Sequence, residues 1–368
     1  MALPITQNSE LLAALERGET LPAEWYTNKD LFRLEQKRIF RRTWQYVGLT
    51  EQVAQPGDFF TFTIDNVPIV LTHDLNGQLR GFVNVCRHRG SQLVLDECGH
   101  RATLQCHYHA WTYNLDGTLR AAPGAKNEPD FKKEDITLIP VHVETWGPFI
   151  FVNLDTLAQP LHKVLGELPA LVEATGLPLN AIKRRVRRTY EIAANWKVVV
   201  DNYLECYHCP VAHPAFADLI DLDQYTIREY EYFSTQAGPV TNAAKAGGAA
   251  NLYEIGEGVQ AGFYVFLWPN FTLNIYPGPG NVSLNLFVPL AVNKTLAVYD
   301  YCFLDAVSQD EERDFIKFID QVQEEDIVLC ESVQRGLSTG FFERGKLMLH
   351  RENALRHFQK LVYGVMSR

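Results

Sequence analysis

Apolar residues recur with helical spacing in two short stretches near the start of the chain, 8–17 and 28–42. The second sets Phe32, Leu34, Ile39 and Phe40 among Lys and Arg, with Asn28 placed to cap its first turn. After Trp44 the period changes. From about 58 to 153 the chain runs in β-rich segments (59–64, 69–72, 149–152), punctuated by Asn76-Gly77 and Asp116-Gly117, two dipeptides that favour hairpins. This is the pattern of a small antiparallel β domain. Beyond Leu154 long helices mix with strands. One helix is predicted from about 195 to His208, stopped by Pro210, because proline disfavours the α conformation of its neighbours on the N-terminal side. Another, over 308–337, opens with the capping box Ser308-Gln309-Asp310-Glu311 and carries an apolar stripe of Phe315, Phe318, Ile319, Val322, Leu329 and Val333. The basic run 183–188 reads as a solvated strand edge, and 237–251, rich in Gly and Ala, as a mobile loop.

These periods describe an α+β chain, and 368 residues exceed what a single ordinary core organises. The expected division is an N-terminal helical arm over 1–43, packed on the last domain, a β-rich domain over 44–156, and a domain of helices and strands over 157–368. With 46% hydrophobic and 21% charged residues the composition is that of a soluble globular protein. No run approaches the roughly 18 apolar residues of a membrane span. A net charge of −10 argues against nucleic-acid binding through the overall field. The opening Met1-Ala2-Leu3-Pro4-Ile5 has neither the basic nor the apolar part of a leader, so a cytoplasmic address is expected. There is no GxGxxG or P-loop.

The chemistry begins with Cys86-Arg87-His88 and Cys106-His107-Tyr108-His109, a C-x-H-x17-C-x2-H spacing. Two thiolates and two imidazoles on a pair of short loops are the ligand set of a Rieske [2Fe-2S] centre. Its neutral imidazoles raise the potential to roughly −150 to +300 mV, against about −400 mV for all-Cys plant-type ferredoxins. A structural zinc uses the same residue types, but its pairs usually run Cys with Cys and His with His, whereas each loop here carries one of each. Gly90 and Ala110-Trp111 suit tight loops over a buried inorganic core. The remaining cysteines, Cys98, Cys206, Cys209, Cys302 and Cys330, are read as free thiols in a reducing compartment.

A second constellation holds His208 and His213. Five residues apart they diverge by about 140° on a continuous helix, so the break at Pro210 and Pro214 is needed to leave His213 on a following turn, free to swing back. Glu205 lies three residues before His208, on the same helical face. Two His and one carboxylate form the facial triad of mononuclear non-haem iron(II). At about 100° per residue, Asp326 falls at the centre of the stripe over 308–337, Glu325 at its edge and Glu324 opposite. A carboxylate buried there needs a partner; a metal is one, an ion pair the other. The C-x-x-C of Cys206-Tyr207-His208-Cys209 does not open a helix after a strand and is read as bystander thiols.

Together Cys86-x-His88, Cys106-x-x-His109, Asn195-Trp196-Lys197, the run Asp201 to Cys209, His213-Pro214, Glu325-Asp326-Ile327 and Glu331 to Leu337 resemble the oxygenase component of Rieske non-haem iron oxygenases, from about residue 25 to the end. Within that family the chain is most similar to the branch of carnitine monooxygenase, choline monooxygenase and betaine demethylases, which carry Glu at the place of Glu205 where many aromatic-ring enzymes carry Asp. The resemblance implies a β-rich Rieske domain joined to a helix-grip catalytic domain, assembled as a head-to-tail homotrimer. It implies a [2Fe-2S] cluster on Cys86, His88, Cys106 and His109 and a mononuclear Fe(II) on His208, His213 and Asp326. Electrons would come from NAD(P)H through a separate flavin and iron-sulfur reductase, and cross to the neighbouring subunit's iron by way of Glu205. The reaction implied is oxygenation of a C–H bond next to the nitrogen of a quaternary ammonium or N-methylated small molecule, with C–N cleavage or demethylation, by an enzyme of the monooxygenase/dioxygenase type. Tyr203, Phe263, Tyr264, Phe266, Trp268, Phe271 and Tyr276 are the candidates to face such a cation. The alternatives are a hydroxylase or demethylase of an aromatic acid on the same fold, and a pure electron-transfer protein with the cluster alone.

Overall fold

The computed structural model describes residues 9–241 and 258–368. The chain divides into two units, Phe40–Lys163 and the N-terminal residues up to Ile39 together with Val164–Arg368.

In the first unit the alternating segments form β1 (Gln45–Leu49), β2 (Asp58–Ile64), β3 (Val67–His73), β4 (Leu79–Val83), β5 (Cys98–His100), β6 (Leu104–Gln105), β7 (Thr112–Tyr113), β8 (Leu119–Ala121), β9 (Pro140–Trp146) and β10 (Phe149–Asn153). Seven pair in the order β1-β10-β9-β4-β3-β2-β5, and β6-β7-β8 make a small separate sheet. Both predicted hairpins form. Asp74 accepts from the backbone of Asn76 and Gln78, each at 2.9 Å, to turn β3 into β4. Gly117 turns β7 into β8 with φ of 88° and lies too close to the Phe82 ring for any side chain. The core of this unit gathers Phe59, Val70, Phe82, Leu104 and Tyr113, with Cys86 and Cys106 among them.

The other unit is built on seven antiparallel strands, β11 (Lys183–Ile192), β12 (Thr226–Glu229), β13 (Phe233–Pro239), β14 (Ala261–Leu267), β15 (Phe271–Ile275), β16 (Val282–Ala291) and β17 (Lys294–Phe303), in the order β11-β17-β16-β15-β14-β13-β12. Alternation gives this sheet two unlike faces. Phe271, Leu273 and Ile275 lie on one, while Thr272 and Asn274 lie on the other, in register with Asn285 and Ser283 of β16. The helix Gln309–Leu337 covers the polar face, with Phe315 packed against Tyr276 at 4.8 Å and Phe303 at 5.6 Å between ring centroids. Its capping box forms as predicted. The stripe does not continue through Val333, which is 51% exposed. The second half of this helix faces Asn195, so that buried Gln334 takes the inward place and accepts from the Asn195 backbone at 2.7 Å.

Asn28 caps the helix Lys29–Glu35 as expected. Glu35 is fully buried, with Lys197 Nζ at 2.6 Å and Trp196 Nε1 at 2.8 Å, and Tyr26 donates to Asp201 at 2.7 Å. The basic run is an edge strand, β11, but its charges are matched within the chain: Arg187 makes a two-pronged pair with Asp300 at 2.6 Å, and Lys183 and Arg185 meet Asp305. Of the loop expected over 237–251, Ala237 to Pro239 belong to β13, and 242–251 lie outside the described residues. No helix among the described residues is long and apolar enough to cross a membrane.

Candidate active site

The two Cys/His loops close in the same way. Gly90 and Ala110 donate to the carbonyls of Cys86 and Cys106 at 3.1 and 3.0 Å, and those cysteines donate in turn to Ser91 and Trp111 at 2.8 Å. The turn needs a left-handed residue four places after each cysteine, supplied by Gly90 (φ 74°) and, against its preference, by Ala110 (φ 56°). Both sulfurs are buried and both imidazoles exposed, with the rings of His88 and His109 4.6 Å apart. Trp111 stacks on His88 at 4.8 Å. These four side chains fit a group that is bound by thiolate on its inner side and imidazole on its outer side. Tyr113, which sequence reasoning missed, places its hydroxyl 3.4 Å from Cys86 Sγ and accepts from the Arg87 backbone at 3.0 Å.

The second site corrects one expectation. The helix predicted to reach His208 is Trp196–Tyr203, ending five residues early. The Glu205 carboxylate accepts from the backbones of Tyr207 and His208, and such local bonds compete with helix continuation. Glu205 is thus a turn-capping residue rather than the previous turn of a helix. The same turn joins Cys206 and Cys209, 5.0 Å apart at Cα, in a disulfide, so they are not free thiols; Cys98, Cys302 and Cys330 are not disulfide-bonded. His213 follows the short helix Cys209–Ala212 and swings back as expected.

His208, His213 and Asp326 present ligand atoms all within 4.8 Å of one another. Asp326 Oδ1 lies 3.0 Å from His213 Nε2 and 3.5 Å from His208 Nε2, and it accepts from Asn202 at 2.8 Å. Each imidazole is held from behind by a carboxylate: Glu205 at His208 Nδ1, and Glu325 at His213 Nδ1 at 2.7 Å. A carboxylate only accepts, so both Nδ1 atoms carry hydrogen and both Nε2 atoms face Asp326. Glu325 was placed at the edge of the stripe by its spacing, but its role needed His213 in space. Burial alone would lower the imidazole pKa values. The carboxylates outweigh it, pushing His208 up to about 10 through Asp326 and Glu205 and raising His213 through Asp326 and Glu325. Burial opposes ionisation of Asp326, yet the two imidazoles hold its carboxyl below the usual range. So much negative charge around two imidazoles suits a cation between them.

A cavity of about 110 Å³ opens beside this triad. Its walls carry Tyr203, Tyr225, Tyr264, Tyr276, Tyr299 and Phe216, with Gln236, Asn274, Asn285 and Gln323 between them, and no Lys or Arg among the described residues. Burial raises the pKa of Tyr203, Tyr225, Tyr276 and Tyr299, so these phenols stay neutral. Of the aromatic candidates, Tyr203, Tyr264 and Tyr276 reach the cavity. Phe263, Phe266, Trp268 and Phe271 do not: Phe263 and Phe271 lie on the opposite face of the sheet, paired with Ile275 and Leu286, and Phe266 and Trp268 pack on Phe358 at 5.6 and 5.8 Å. The polar residues alternating along β13 to β17 were the signal that sequence reasoning passed over. A wider cavity of about 460 Å³ reaches Glu205 and His208 by way of Asp201 and Cys330.

The description "Rieske [2Fe-2S] domain" matches residues 43–143, and "Ring hydroxylating alpha subunit (catalytic domain)" matches 179–368. The carnitine monooxygenase oxygenase subunit of Escherichia coli (strain K12) is 34% identical over 357 residues, 95% of this chain and 94% of its own. The chloroplastic choline monooxygenase of Arabidopsis thaliana is 36% identical over 369 residues, 95% of this chain and 83% of its own. A solved quaternary ammonium Rieske monooxygenase, described for carnitine oxidation by gut microbiota and inter-subunit electron transfer, superposes with a TM-score of 0.87 at 30% identity, over 98% of this chain and 99% of that one. Alpha components of this kind carry a [2Fe-2S] cluster and a mononuclear iron and are supplied with electrons by a separate reductase. Buried sulfurs beneath exposed imidazoles in one unit, a two-His-one-carboxylate triad in the other, and identity along almost the whole length place this α+β chain among the Rieske non-haem iron oxygenases, as an alpha component of the branch that holds the carnitine and choline monooxygenases.

Proposed function

We propose that this enzyme is the terminal oxygenase that hydroxylates a C–H bond of a quaternary ammonium or N-methylated compound, next to the nitrogen, with dioxygen and with electrons that a flavin and iron-sulfur reductase draws from NAD(P)H. The carrying observation is the cavity: five phenol rings and a phenyl ring surround a space that also meets Glu205 and Asp326 and has no Lys or Arg among its described residues. Each aromatic face attracts a cation by about 0.5 to 2 kcal/mol. An aromatic acid would find no Lys or Arg for its carboxylate among the described residues of the lining, which disfavours that alternative.

In this reading His208, His213 and Asp326 hold the mononuclear iron, and Cys86, His88, Cys106 and His109 hold the cluster. When bound, these groups supply dioxygen activation and single-electron transfer. The protein's own part is positional. Glu205 and Glu325 fix the tautomer and direction of the two imidazoles, and Asn202 holds Asp326 against rotation. The tyrosines exclude water and seat the cationic head so that one of its alkyl groups faces the triad. Glu205 also serves as the bridge for electrons between copies in a homotrimer, since it supports His208 and borders the wider cavity as well. His109, exposed on its loop, is the group that a neighbouring copy would bring to it. The enzyme works as a soluble cytoplasmic protein.

The test is product formation with a surrogate reductase for trimethylammonium compounds and for aromatic acids, in the parent and in Tyr276→Leu. Turnover of the ammonium compounds, weakened in the variant, is expected. An enzyme that turns over only aromatic carboxylates refutes the reading.

A further inference from the structure

The disulfide between Cys206 and Cys209 is a part of the site that the proposed reaction does not use. It closes a ring of four residues around Tyr207 and His208, with its two Cα atoms 5.0 Å apart. So short a ring removes less chain entropy than the long loops that structural disulfides close, and no other cysteine among the described residues is disulfide-bonded. What sets the bond apart is its place. Both cysteines are buried, and both line the cavity of about 110 Å³ together with His208, His213 and Asp326. Cys206 also lines a second cavity, of about 190 Å³, with Tyr225 and Arg351. The Cys209 carbonyl accepts from the His213 backbone at 2.9 Å, so the pair is tied to both histidines.

Dioxygen that gains two electrons and two protons there, with no C–H bond to oxidise, leaves as hydrogen peroxide. Thiols take oxygen from peroxide, and a thiol without a partner is carried on to sulfinic acid, which ordinary reductants do not reverse. A second thiol within disulfide reach stops the sequence one step earlier. We propose that Cys206 and Cys209 are a reversible redox pair that consumes peroxide formed beside the triad, the disulfide being its oxidised state. Cys206 reacts first, because it borders both cavities. Its reduced sulfur attacks peroxide: an S–O bond forms, the O–O bond breaks and one water leaves. The Cys209 sulfur then attacks the sulfenic sulfur, forming the S–S bond and releasing a second water. Two thiols have lost two electrons and two protons, and one peroxide has become two waters. A dithiol reductant returns those electrons and protons by exchange through a mixed disulfide. This rests on the triad as the place of oxygen activation, and on no particular substrate.

The test follows thiols in holoenzyme by alkylation and peptide mass. Dithiothreitol under nitrogen should open the bond, and added hydrogen peroxide should close it again without forming sulfinic acid. In Cys209→Ser the same peroxide should leave Cys206 as a sulfenic acid that dimedone traps. The reopened parent is then run with NADH, a surrogate reductase, dioxygen and whichever compound named above it turns over, with catalase to clear peroxide from bulk water. Cys206 and Cys209 should lose their alkylation while Cys98, an exposed thiol, keeps it. Protein stripped of the mononuclear iron by chelator should keep all three thiols in the same mixture. A bond that dithiothreitol leaves closed, or that peroxide does not restore, overturns the inference whatever the substrate. So does a Cys206 that dimedone leaves unmarked in a Cys209→Ser variant whose cluster absorption shows it folded. A pair that stays reduced through turnover, or that closes equally in the stripped protein, overturns it too. Turnover of aromatic acids alone brings down the cation reading, and closure of the pair during that turnover still supports this inference.

Discussion

Replacing Glu325 by Gln isolates the support behind one imidazole. The carboxylate accepts from His213 Nδ1 at 2.7 Å, and its other oxygen accepts from Gln321 at 3.1 Å. Gln keeps the length and one acceptor oxygen but removes the charge. A hydrogen bond to a charged group contributes about 1.5 to 3 kcal/mol. His213 is 3% exposed, but Glu325 is 30% exposed, so solvent screening favours the lower end, about 1.5 kcal/mol. At about 1.4 kcal/mol per tenfold, affinity for the mononuclear iron should fall about 10-fold, at the edge of the roughly 10- to 100-fold range for partners of metal-bound histidines. Dialysis against graded ferrous chelator, with the cluster's absorption as an internal count, measures this. The mononuclear iron should leave Glu325→Gln at about a tenth of the chelator that the parent needs, while the cluster stays. Asp326→Ala should lose that iron outright, and Glu324→Ala, altering an exposed side chain on the far face, should keep it. Parent-like retention in Glu325→Gln, or equal loss in Glu324→Ala, would refute the reasoning.

Tyr113→Phe removes a hydrogen bond to a cluster thiolate, whose negative charge grows on reduction, so the midpoint potential should drop by roughly 20 to 60 mV in a redox titration. An unchanged potential would show that the 3.4 Å contact is not a bond. Burial pushes the Asp201 carboxyl up to about 7 against hydrogen bonds from Tyr26 and Gln359. The folded protein therefore keeps a proton that the unfolded chain releases near about pH 4, and stability is lost as pH rises from there through about 7. Asp201→Asn should raise Tm at pH 8 and lose that advantage towards pH 4; a pH-independent difference would contradict the sign. Glu205→Gln should keep both metal sites, yet after mixing with oxygen and substrate its reduced cluster should stay reduced. Parent-like oxidation with product formed would exclude Glu205 as the bridge.

What could be read from the chain were features whose physics is local. Cys and His at loop spacing, a capping box and hairpin dipeptides depend on neighbours a few residues away, and each appears where its pattern put it, whereas Pro210 and Pro214 open the short helices that follow instead of ending the one before. Helical spacing along one segment likewise singled out Asp326 among three adjacent acids. Tertiary structure decided whatever depends on partners distant in sequence. Glu325 supports His213 across 112 residues. The tyrosine wall combines the helix Trp196–Tyr203, strands β14 and β17, and the residues just before β12 and just after β15, so a run such as 263–276 could be read only as aromatic, without its alternate residues being sorted between pocket and core. Where the first catalytic helix stops was decided by a competition that periodicity does not register, since the Glu205 carboxylate takes backbone donors that a helix would have used. The same holds for the buried amides of β15 and β16: in sequence they look like exposed strand positions, and only the helix laid over them makes them the lining of a site.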